Sequence, residues 1–272
     1  AWATEAALNQ AGYTADMLDL IIFASAGPEQ GLPDTAPLIQ AKLGLGSSGI
    51  ACFSVDSTCL SFITAMDIAS CFLAQGRYKR IAIVCSEIAS VSLDPNDEKT
   101  FTLFGDAATS VILERTPLGE KSAIQNVHFS TFGDGAAYTQ VRGCGTKQHA
   151  NNSSTTFTDN TFMMRGRELL LFTMRVAPTV LNSIWPGLRE GLNDIALVMP
   201  HQPSRVGMQV FSRYFPEDKM IKTLAEYGNC VSVSLPLALH FAIQNKRLNR
   251  GDRALLIGTG AGVSIGGVVF DY

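Results

Sequence analysis

The stretch CLSFITAMDIASCFLAQGRYKRIAIVCSE, residues 59–87, joins a long apolar helix pattern to a short basic turn and a buried strand pattern. The helical part is apolar on nearly every side, which is typical of a helix buried on all faces. The last part is a continuous apolar run, which is typical of a strand covered on both faces of its sheet. The stretch therefore predicts a helix enclosed between other layers, leading into a buried strand.

The same order of elements occurs twice in the chain. The strand pattern DLIIFAS (19–25) precedes the first helix and strand, and DIALVMPH (194–201) precedes VSLPLALHFAIQNKRLNRGDRALLIGTG (233–260). This similarity of pattern predicts a duplicated α/β unit. Strands that alternate with helices predict a mostly parallel sheet in each half. Two such sheets must share covering helices, and we expect the helix after Cys59 to be part of the shared layer.

Between the two units lies a loop-like segment, residues 136–160, which ends in the polar run HANNSSTTFTDN. This shift in composition predicts a boundary near residue 150 and two halves, 1–150 and 151–272. The pattern after the boundary predicts a long helix over 162–188, with a kink at Pro178.

Composition excludes several classes of protein. Hydrophobic residues make up 46% of the chain and the net charge is −3, so no basic field is available for nucleic acid. The longest uncharged stretch, 254–270, contains five glycines, and it predicts strand–turn–strand rather than a membrane span. The six cysteines lack the spacing of a zinc site, so we expect no metal. Four of them lie in apolar segments, and no secretory signal pattern is present, which favours free thiols in a cytoplasmic protein.

Three residues stand at the ends of predicted elements. Cys59 lies at the start of the apolar helix, where free N–H groups and the helix dipole are expected to lower its pKa. His201 ends the strand IALVMPH, and Asn229 lies in the turn EYGNC before a buried helix. Each has an alternative interpretation, because Cys59 could be a small packing residue and the other two could be ordinary turn residues.

A glycine-rich turn, GTGAGVSIGG (258–267), adds backbone N–H donors to this set. Its spacing matches neither the dinucleotide-binding fingerprint nor the phosphate-binding loop. Together, a thiol, an imidazole, an amide and a turn with free donors suit acyl transfer through a thioester.

Six stretches carry a resemblance to a known family: DSTCLSF, FGDAATSVIL, FMMRGRELL, LVMPHQPS, YGNCVSVSLPLAL and IGTGAGVSIGG. In order and context they resemble the β-ketoacyl-acyl-carrier-protein synthase III family of the thiolase superfamily, over nearly the whole chain. The resemblance implies two similar halves in a five-layered αβαβα arrangement, and a homodimer.

The resemblance also implies roles for particular residues. Cys59 matches the nucleophile that takes up the acyl group, and His201 and Asn229 match the other two catalytic residues. The oxyanion hole would be formed by the backbone N–H groups of Cys59 and Ala261. The positions expected to line the substrate pocket are Leu32, Phe104, Ser204, Gly260 and Gly262.

The chain departs from the family pattern in several places. The segment with the family's first strand is absent, and we therefore expect a longer native protein. Leu32 stands where the family often has an aromatic residue that reaches into the partner subunit's acyl pocket. Ser204 replaces a common Asn, and Val206 aligns with the carrier-binding arginine, with Arg205 one position away. Recognition of an acyl carrier protein is therefore open.

The resemblance implies that an acyl group passes from acyl-coenzyme A to Cys59 and then condenses with a malonyl thioester, without a cofactor. Alternatives are a non-decarboxylating condensation with Glu29 as base, or acyl transfer to an alcohol or amine. The absence of a second cysteine in the glycine-rich turn argues against a thiolase proper. More remote alternatives are a Cys-His-Asn protease and a non-catalytic scaffold.

Overall fold

The computed structural model describes residues 1–190 and 194–272. Its strands are β1 (Leu20–Ala24), β2 (Ala51–Val55), β3 (Arg80–Glu87), β4 (Ala107–Glu114), β5 (Ala123–Thr131), β6 (Thr139–Gln140), β7 (Met163–Met164), β8 (Leu197–Pro200), β9 (Arg253–Gly260) and β10 (Ser264–Asp271). Its α-helices are α1 (Trp2–Ala11), α2 (Thr35–Lys42), α3 (Ser61–Ala74), α4 (Glu98–Phe101), α5 (Gly166–Ile184), α6 (Arg205–Phe211), α7 (Leu224–Tyr227) and α8 (Ser234–Gln244).

The strands form two main sheets that repeat one motif. The first sheet has the order β2-β1-β3-β4 and the second has the order β5-β10-β9-β8. In the first, β1 and β3 are parallel and β3 and β4 are antiparallel; in the second, β8 and β9 are parallel and β9 and β10 are antiparallel. A buried helix precedes the central strand of each pair, α3 before β3 and α8 before β9, so the duplicated α/β unit is confirmed.

Side chains along each strand alternate between the two faces of the sheet, and helices cover both faces. In β1, Ile21 and Phe23 face an outer core that includes residues of α1 and α2, whereas Leu20 and Ile22 face the central core. The central core contains α3, α8 and strands of both sheets. A third core packs α5 against the outer face of the second sheet. The expected five layers, helix–sheet–helix–sheet–helix, are therefore present, with α3 and α8 as the shared layer.

Three expectations differ from the structure. The second sheet is mostly antiparallel, because β5 and β10 both run against their neighbours. β5 precedes residue 150 but pairs with β10, so the sheets divide between β4 and β5 rather than at 150. The helix expected over 162–188 begins only at Gly166, since Met163 and Met164 pair with β6, and it contains Pro178 in its body.

None of the helices in the described residues is long and apolar enough to span a membrane. The run 254–270 forms most of β9 and β10 and the turn between them, as its glycines predict.

Candidate active site

The candidate site lies where the duplicated units meet at the carboxyl ends of β8 and β9 and at the start of the shared helices. Ligands and reacting groups gather beyond the carboxyl ends of strands in open α/β sheets, because the connecting loops there present free backbone groups. The turn that contains Cys59 packs against β9 and against the 3-10 turn Val231–Val233 that follows Asn229.

Cys59 lies in a 3-10 turn, Thr58–Leu60, between β2 and α3. Thr58 has a φ of +53°, a left-handed conformation that costs energy for a β-branched residue and marks a sharp strand-to-helix turn. Ser61 holds this turn: its Oγ accepts from the N–H of Ser57 at 2.9 Å and donates to the carbonyl of Thr58 at 2.7 Å. The Cys59 sulfur is thereby fixed at the N-terminal end of α3.

The glycine-rich turn approaches this sulfur because it lacks side chains. A Cβ at Gly258 would lie 2.8 Å from the Cβ of His201, and a Cβ at Gly260 would lie 2.7 Å from the Oγ1 of Thr58. Such distances are too short for real Cβ contacts, so both positions require glycine for this packing. The close approach brings the backbone N–H of Ala261 into hydrogen-bonding reach of the Cys59 sulfur, which the N–H of Cys59 itself also reaches.

The pKa of the Cys59 thiol is not lowered, contrary to the expectation from its position at a helix start. Burial raises it to about 12, and the negative charges of Glu87 and Asp56 add to the effect. The N–H groups of Cys59 and Ala261 lower the pKa, but they do not offset the loss of water around the sulfur. The free protein therefore holds Cys59 as a neutral thiol at neutral pH.

His201 follows β8, and its backbone N–H donates to the carbonyl of Ile257 on β9 at 2.8 Å. Its side chain is buried, and burial lowers its pKa to about 4, so the imidazole is neutral at physiological pH. The ring Nδ1 is buried and has no hydrogen-bond partner among the described residues.

Asn229 is fixed by four hydrogen bonds. Its backbone N–H donates to the carbonyl of Leu103, and its carbonyl accepts from the N–H of Gly105. In the side chain, Oδ1 accepts from the N–H of Val231 at 2.9 Å, and Nδ2 donates to the carbonyl of Pro203 at 3.2 Å. These contacts set the direction of the amide. Since a carboxamide has two N–H donors, one donor of Nδ2 is still available for a substrate oxygen.

The expected pocket residues occupy different surroundings. Phe104 forms a bridge with Asn229, and its ring lies edge-on to Phe162 with centroids 4.8 Å apart. The Ser204 Oγ caps α6 by accepting from the N–H of Gly207 at 3.1 Å. Leu32 is 88% exposed.

Three further candidate residues lie away from the thiol or on the surface. Glu29 is exposed, and the anions that raise the pKa of the Cys59 thiol are Glu87 and Asp56 instead. Arg205 and Val206 are exposed at the start of α6, so either side chain is accessible to a partner. Among the described residues there is no cluster of three or more side chains that could hold a metal ion.

Two residues near the site were not identified from the sequence. Gln202 is fully buried and bonds to the carbonyls of Pro200 and Ile221, which braces the segment beside His201. Glu87 is 3% exposed at the end of β3. A charged residue directly after the apolar run RIAIVCS, at the carboxyl end of a strand, is a pattern that could have pointed to Glu87.

Comparisons with known proteins cover nearly the whole chain. Residues 53–133 match the 3-oxoacyl-[acyl-carrier-protein] synthase III family model, and residues 189–272 match the model of its C-terminal part. A β-ketoacyl-[acyl-carrier-protein] synthase III from Aquifex aeolicus is 30% identical over 272 residues, 99% of this chain and 82% of the relative. Its crystal structure aligns with a TM-score of 0.82 over the same shares of the two chains, at 31% identity. A Thermus thermophilus structure of the same enzyme class aligns with a TM-score of 0.84 at 28% identity, over 99% of this chain and 82% of that one.

Proposed function

This chain belongs to the 3-oxoacyl-[acyl-carrier-protein] synthase III family, and from that premise we propose that it is a condensing acyltransferase. The proposed reaction moves an acyl group from acyl-coenzyme A to Cys59 and then joins it to a malonyl thioester, giving a β-ketoacyl thioester. The observation that carries this proposal is the placement of a thiol, two backbone donors, a neutral imidazole and an oriented amide around one end of the shared layer.

In the first half-reaction the sulfur of Cys59 attacks the thioester carbonyl of acyl-coenzyme A. The S–H proton is lost, the new S–C bond forms, the bond to the coenzyme A sulfur breaks, and coenzyme A leaves as the thiol with that proton. The N–H groups of Cys59 and Ala261 would hold the oxyanion that develops on the carbonyl oxygen. Because Cys59 is only partly exposed and His201 and Asn229 are buried, these donors interact with the oxyanion more strongly than they would in water.

In the second half-reaction the malonyl thioester loses carbon dioxide, and the electrons of the broken C–C bond form an enolate. His201 through Nε2–H and Asn229 through its free Nδ2–H would donate to the enolate oxygen. The carbanion then attacks the acyl carbonyl on Cys59, a C–C bond forms, the S–C bond breaks, and a proton restores the thiol. Decarboxylation supplies the carbanion, so the step requires no carboxylate base.

A neutral His201 suits this second step. A neutral imidazole with its proton on Nε2 donates one hydrogen bond, and the lowered pKa keeps that state dominant down to about pH 4. The same lowered pKa makes His201 a weak base, so its proposed role is that of a donor to the enolate rather than a base that removes a proton.

We also propose that the chain acts as a homodimer in the cytoplasm, with an acyl carrier protein presenting the malonyl group. β2 is one of the two edge strands of the first sheet. Exposed apolar side chains, with exposed fractions between 55% and 88%, are those of Leu32, Ile88, Val91 and Phe157. Exposed apolar groups of this size favour burial in an interface. Sedimentation of the purified protein tests this proposal, since a monomer at micromolar concentration would contradict it.

The test of the reaction is intact-mass analysis after incubation with a panel of acyl-coenzyme A thioesters. Cys59→Ala should gain no acyl mass, because it lacks the proposed nucleophile. The unmodified chain and the control Cys71→Ala should each gain the mass of one acyl group, because Cys71 is exposed on the body of α3, away from the start of the helix. Addition of a malonyl thioester should then discharge the acyl-enzyme and release carbon dioxide.

Two results would contradict the proposal. Acylation that persists in Cys59→Ala would mean that Cys59 is not the nucleophile. An acyl-enzyme that does not react with malonyl thioesters but is discharged by an alcohol or an amine would indicate acyl transfer to that group. Discharge by a second acyl thioester would indicate a non-decarboxylating condensation.

A further inference from the structure

Glu87 is a buried carboxylate that the proposed reaction does not use. It is 3% exposed at the carboxyl end of β3, and it forms no ion pair with any of the described residues. An unpaired buried charge is costly unless hydrogen bonds replace its hydration. Here they do: Oε1 accepts from the N–H of Ala26 at 2.8 Å and from the Oγ of Ser232 at 2.5 Å, and Oε2 accepts from the N–H of Gly27 at 3.2 Å.

These donors belong to two separate parts of the chain. Ala26 and Gly27 begin the loop after β1, which leads to Leu32. Ser232 lies in the 3-10 turn that directly follows Asn229 and Cys230 and leads into α8. The carboxylate of one residue in the first sheet therefore ties the exposed loop to the turn that orients Asn229.

The charge of Glu87 also acts on the thiols around it. It raises the pKa of Cys59, of Cys85 on the same strand and of Cys230 beside Asn229, in each case in addition to the effect of burial. The other anions near these thiols are Asp56, which acts on Cys59, and Asp106, which acts on Cys230. Burial raises the pKa of Glu87 itself, whereas the hydrogen bonds from Ser232, Ala26 and Gly27 lower it by a smaller amount.

We propose that Glu87 is a positioning residue: hydrogen bonds to its carboxylate hold the turn after Asn229 in place, and its negative charge acts on the Cys59 thiol, whose own turn packs against that turn. The first half of this proposal rests on the condensation proposed above, whereas the second half concerns the thiol alone. The two halves therefore have separate measurements.

The charge is tested by the pH dependence of Cys59 alkylation with iodoacetamide, measured by peptide mass analysis. Glu87→Gln keeps the size of the side chain and removes the charge. We expect Cys59 in this variant to react about 3- to 10-fold faster near pH 8, with its profile moved to lower pH. Glu120→Gln, which removes an exposed charge in the turn between β4 and β5, should leave the profile unchanged. The exposed Cys71 provides an internal reference rate in every sample.

The positioning is tested with Ser232→Ala, which removes the Oγ donor and keeps the charge of Glu87. We expect malonyl-dependent turnover to fall about 10-fold or more, while the Cys59 alkylation profile is not moved to lower pH. Unlabelled Cys85 and Cys230, both buried, report that each variant is folded.

Separate results would overturn each half of the proposal. A Glu87→Gln alkylation profile that coincides with that of the unmodified protein would overturn the electrostatic half. Turnover in Ser232→Ala at the rate of the unmodified protein would overturn the positioning half. If the unmodified protein condensed nothing, the proposed function and the positioning half would fail together, and the alkylation result would still decide the electrostatic half.

Discussion

At the scale of single residues, two effects act in opposite directions on the Cys59 thiol. Burial raises its pKa to about 12, whereas the N–H groups of Cys59 and Ala261 lower it. Donors that are fixed in a water-poor site stabilise a charge wherever it develops, and during acyl transfer that charge moves from the sulfur to the substrate oxygen. The two N–H groups therefore contribute more in the transition state than in the free protein, which is the condition for catalysis.

His201 provides the first prediction. His201→Asn should leave acylation of Cys59 within about 10-fold of the unmodified rate, because the two N–H donors and the sulfur are unchanged. Condensation should fall by about 100- to 1,000-fold, since one donor to the enolate oxygen is lost. Intact-mass acylation and malonyl-dependent carbon dioxide release measure the two steps separately. His240→Asn, at an exposed position on α8, is the matched control, and equal losses in both steps would contradict the proposed role.

The glycine-rich turn provides the second prediction. In Gly260→Ala the new Cβ would lie 2.7 Å from the Thr58 Oγ1 and 3.3 Å from Leu60, so the turn must move away from Cys59. We expect acylation to fall at least about 100-fold, because a shift of about 1 Å in an oxyanion donor has that cost. Gly46→Ala is the control, since its nearest atom beyond the chain neighbours is 3.9 Å away. Equal acylation rates in the two variants would show that the turn does not form the oxyanion hole.

The sequence predicts which residues meet but not the electrostatics of the place where they meet. Cys59, His201 and Asn229 stand at the ends of elements, which local patterns identify. The pKa of Cys59 depends on Glu87, which lies on another strand, and on how completely the packed sheets exclude water. Neither quantity is present in the local pattern around Cys59, so the expected lowering of its pKa was wrong.

At the scale of elements, the shared helices carry the central core. α3 contributes Phe62, Ile63, Ala65, Met66 and Ala69 to this core, in contact with strands of both sheets. An all-round apolar pattern predicts this position, because both faces of the helix meet a sheet. The pattern does not identify the side of the helix that faces solvent, where Cys71 is exposed.

This difference along α3 provides the third prediction. Ile63→Ala should lower the free energy of unfolding by about 2 to 5 kcal/mol, because Ile63 is fully buried between the sheets and its removal leaves a cavity. Cys71→Ala on the same helix should change it by less than about 0.5 kcal/mol. Urea unfolding followed by circular dichroism measures both. Similar losses in the two variants would contradict the assignment of α3 to the shared layer.

Strand pairing marks the limit of prediction at the element scale. The pattern KSAIQNVHFSTF, residues 121–132, predicts a strand, and the structure has β5 within it. It does not show that β5 pairs with β10, 133 positions later at Thr131 and Ser264. That pairing depends on contacts distant in sequence, which is why the boundary expected at residue 150 does not coincide with the division between the sheets.

At the scale of the whole molecule, the duplication repeats an ion cluster. Arg80 begins β3 and pairs with Glu114, and Arg253 occupies the corresponding place at the start of β9, where it pairs with Asp271 and Asp194. Both clusters lie at the end of the sheets opposite to the candidate site. These charge pairs are thus separated from the site, where Glu87 and His201 form no ion pair with any residue that the structure describes.

These buried groups make stability depend on pH, which is the fourth prediction. The pKa of His201 is lowered from 6.5 in the unfolded chain to about 4 by burial, so the unfolded chain binds the proton more tightly. The stabilisation is present above pH 6.5 and is lost as the pH falls towards 4, by roughly 3 kcal/mol. On the alkaline side, burial raises the pKa of Cys59 from 9.0 to about 12, so stability is lost as the pH rises above 9.

The measurement is the free energy of unfolding in urea as a function of pH, for the unmodified protein, His201→Asn and His240→Asn. Carboxyl groups titrate alike in all three proteins, so the difference between curves isolates one histidine at a time. Between pH 6.5 and 4 the curve of His201→Asn should fall less steeply than that of the unmodified protein, by the same roughly 3 kcal/mol, whereas His240→Asn should follow the unmodified protein. Parallel curves for all three would mean that His201 gains a proton in the folded protein as readily as in the unfolded chain. A neutral hydrogen-bond donor would then no longer be assured at the site.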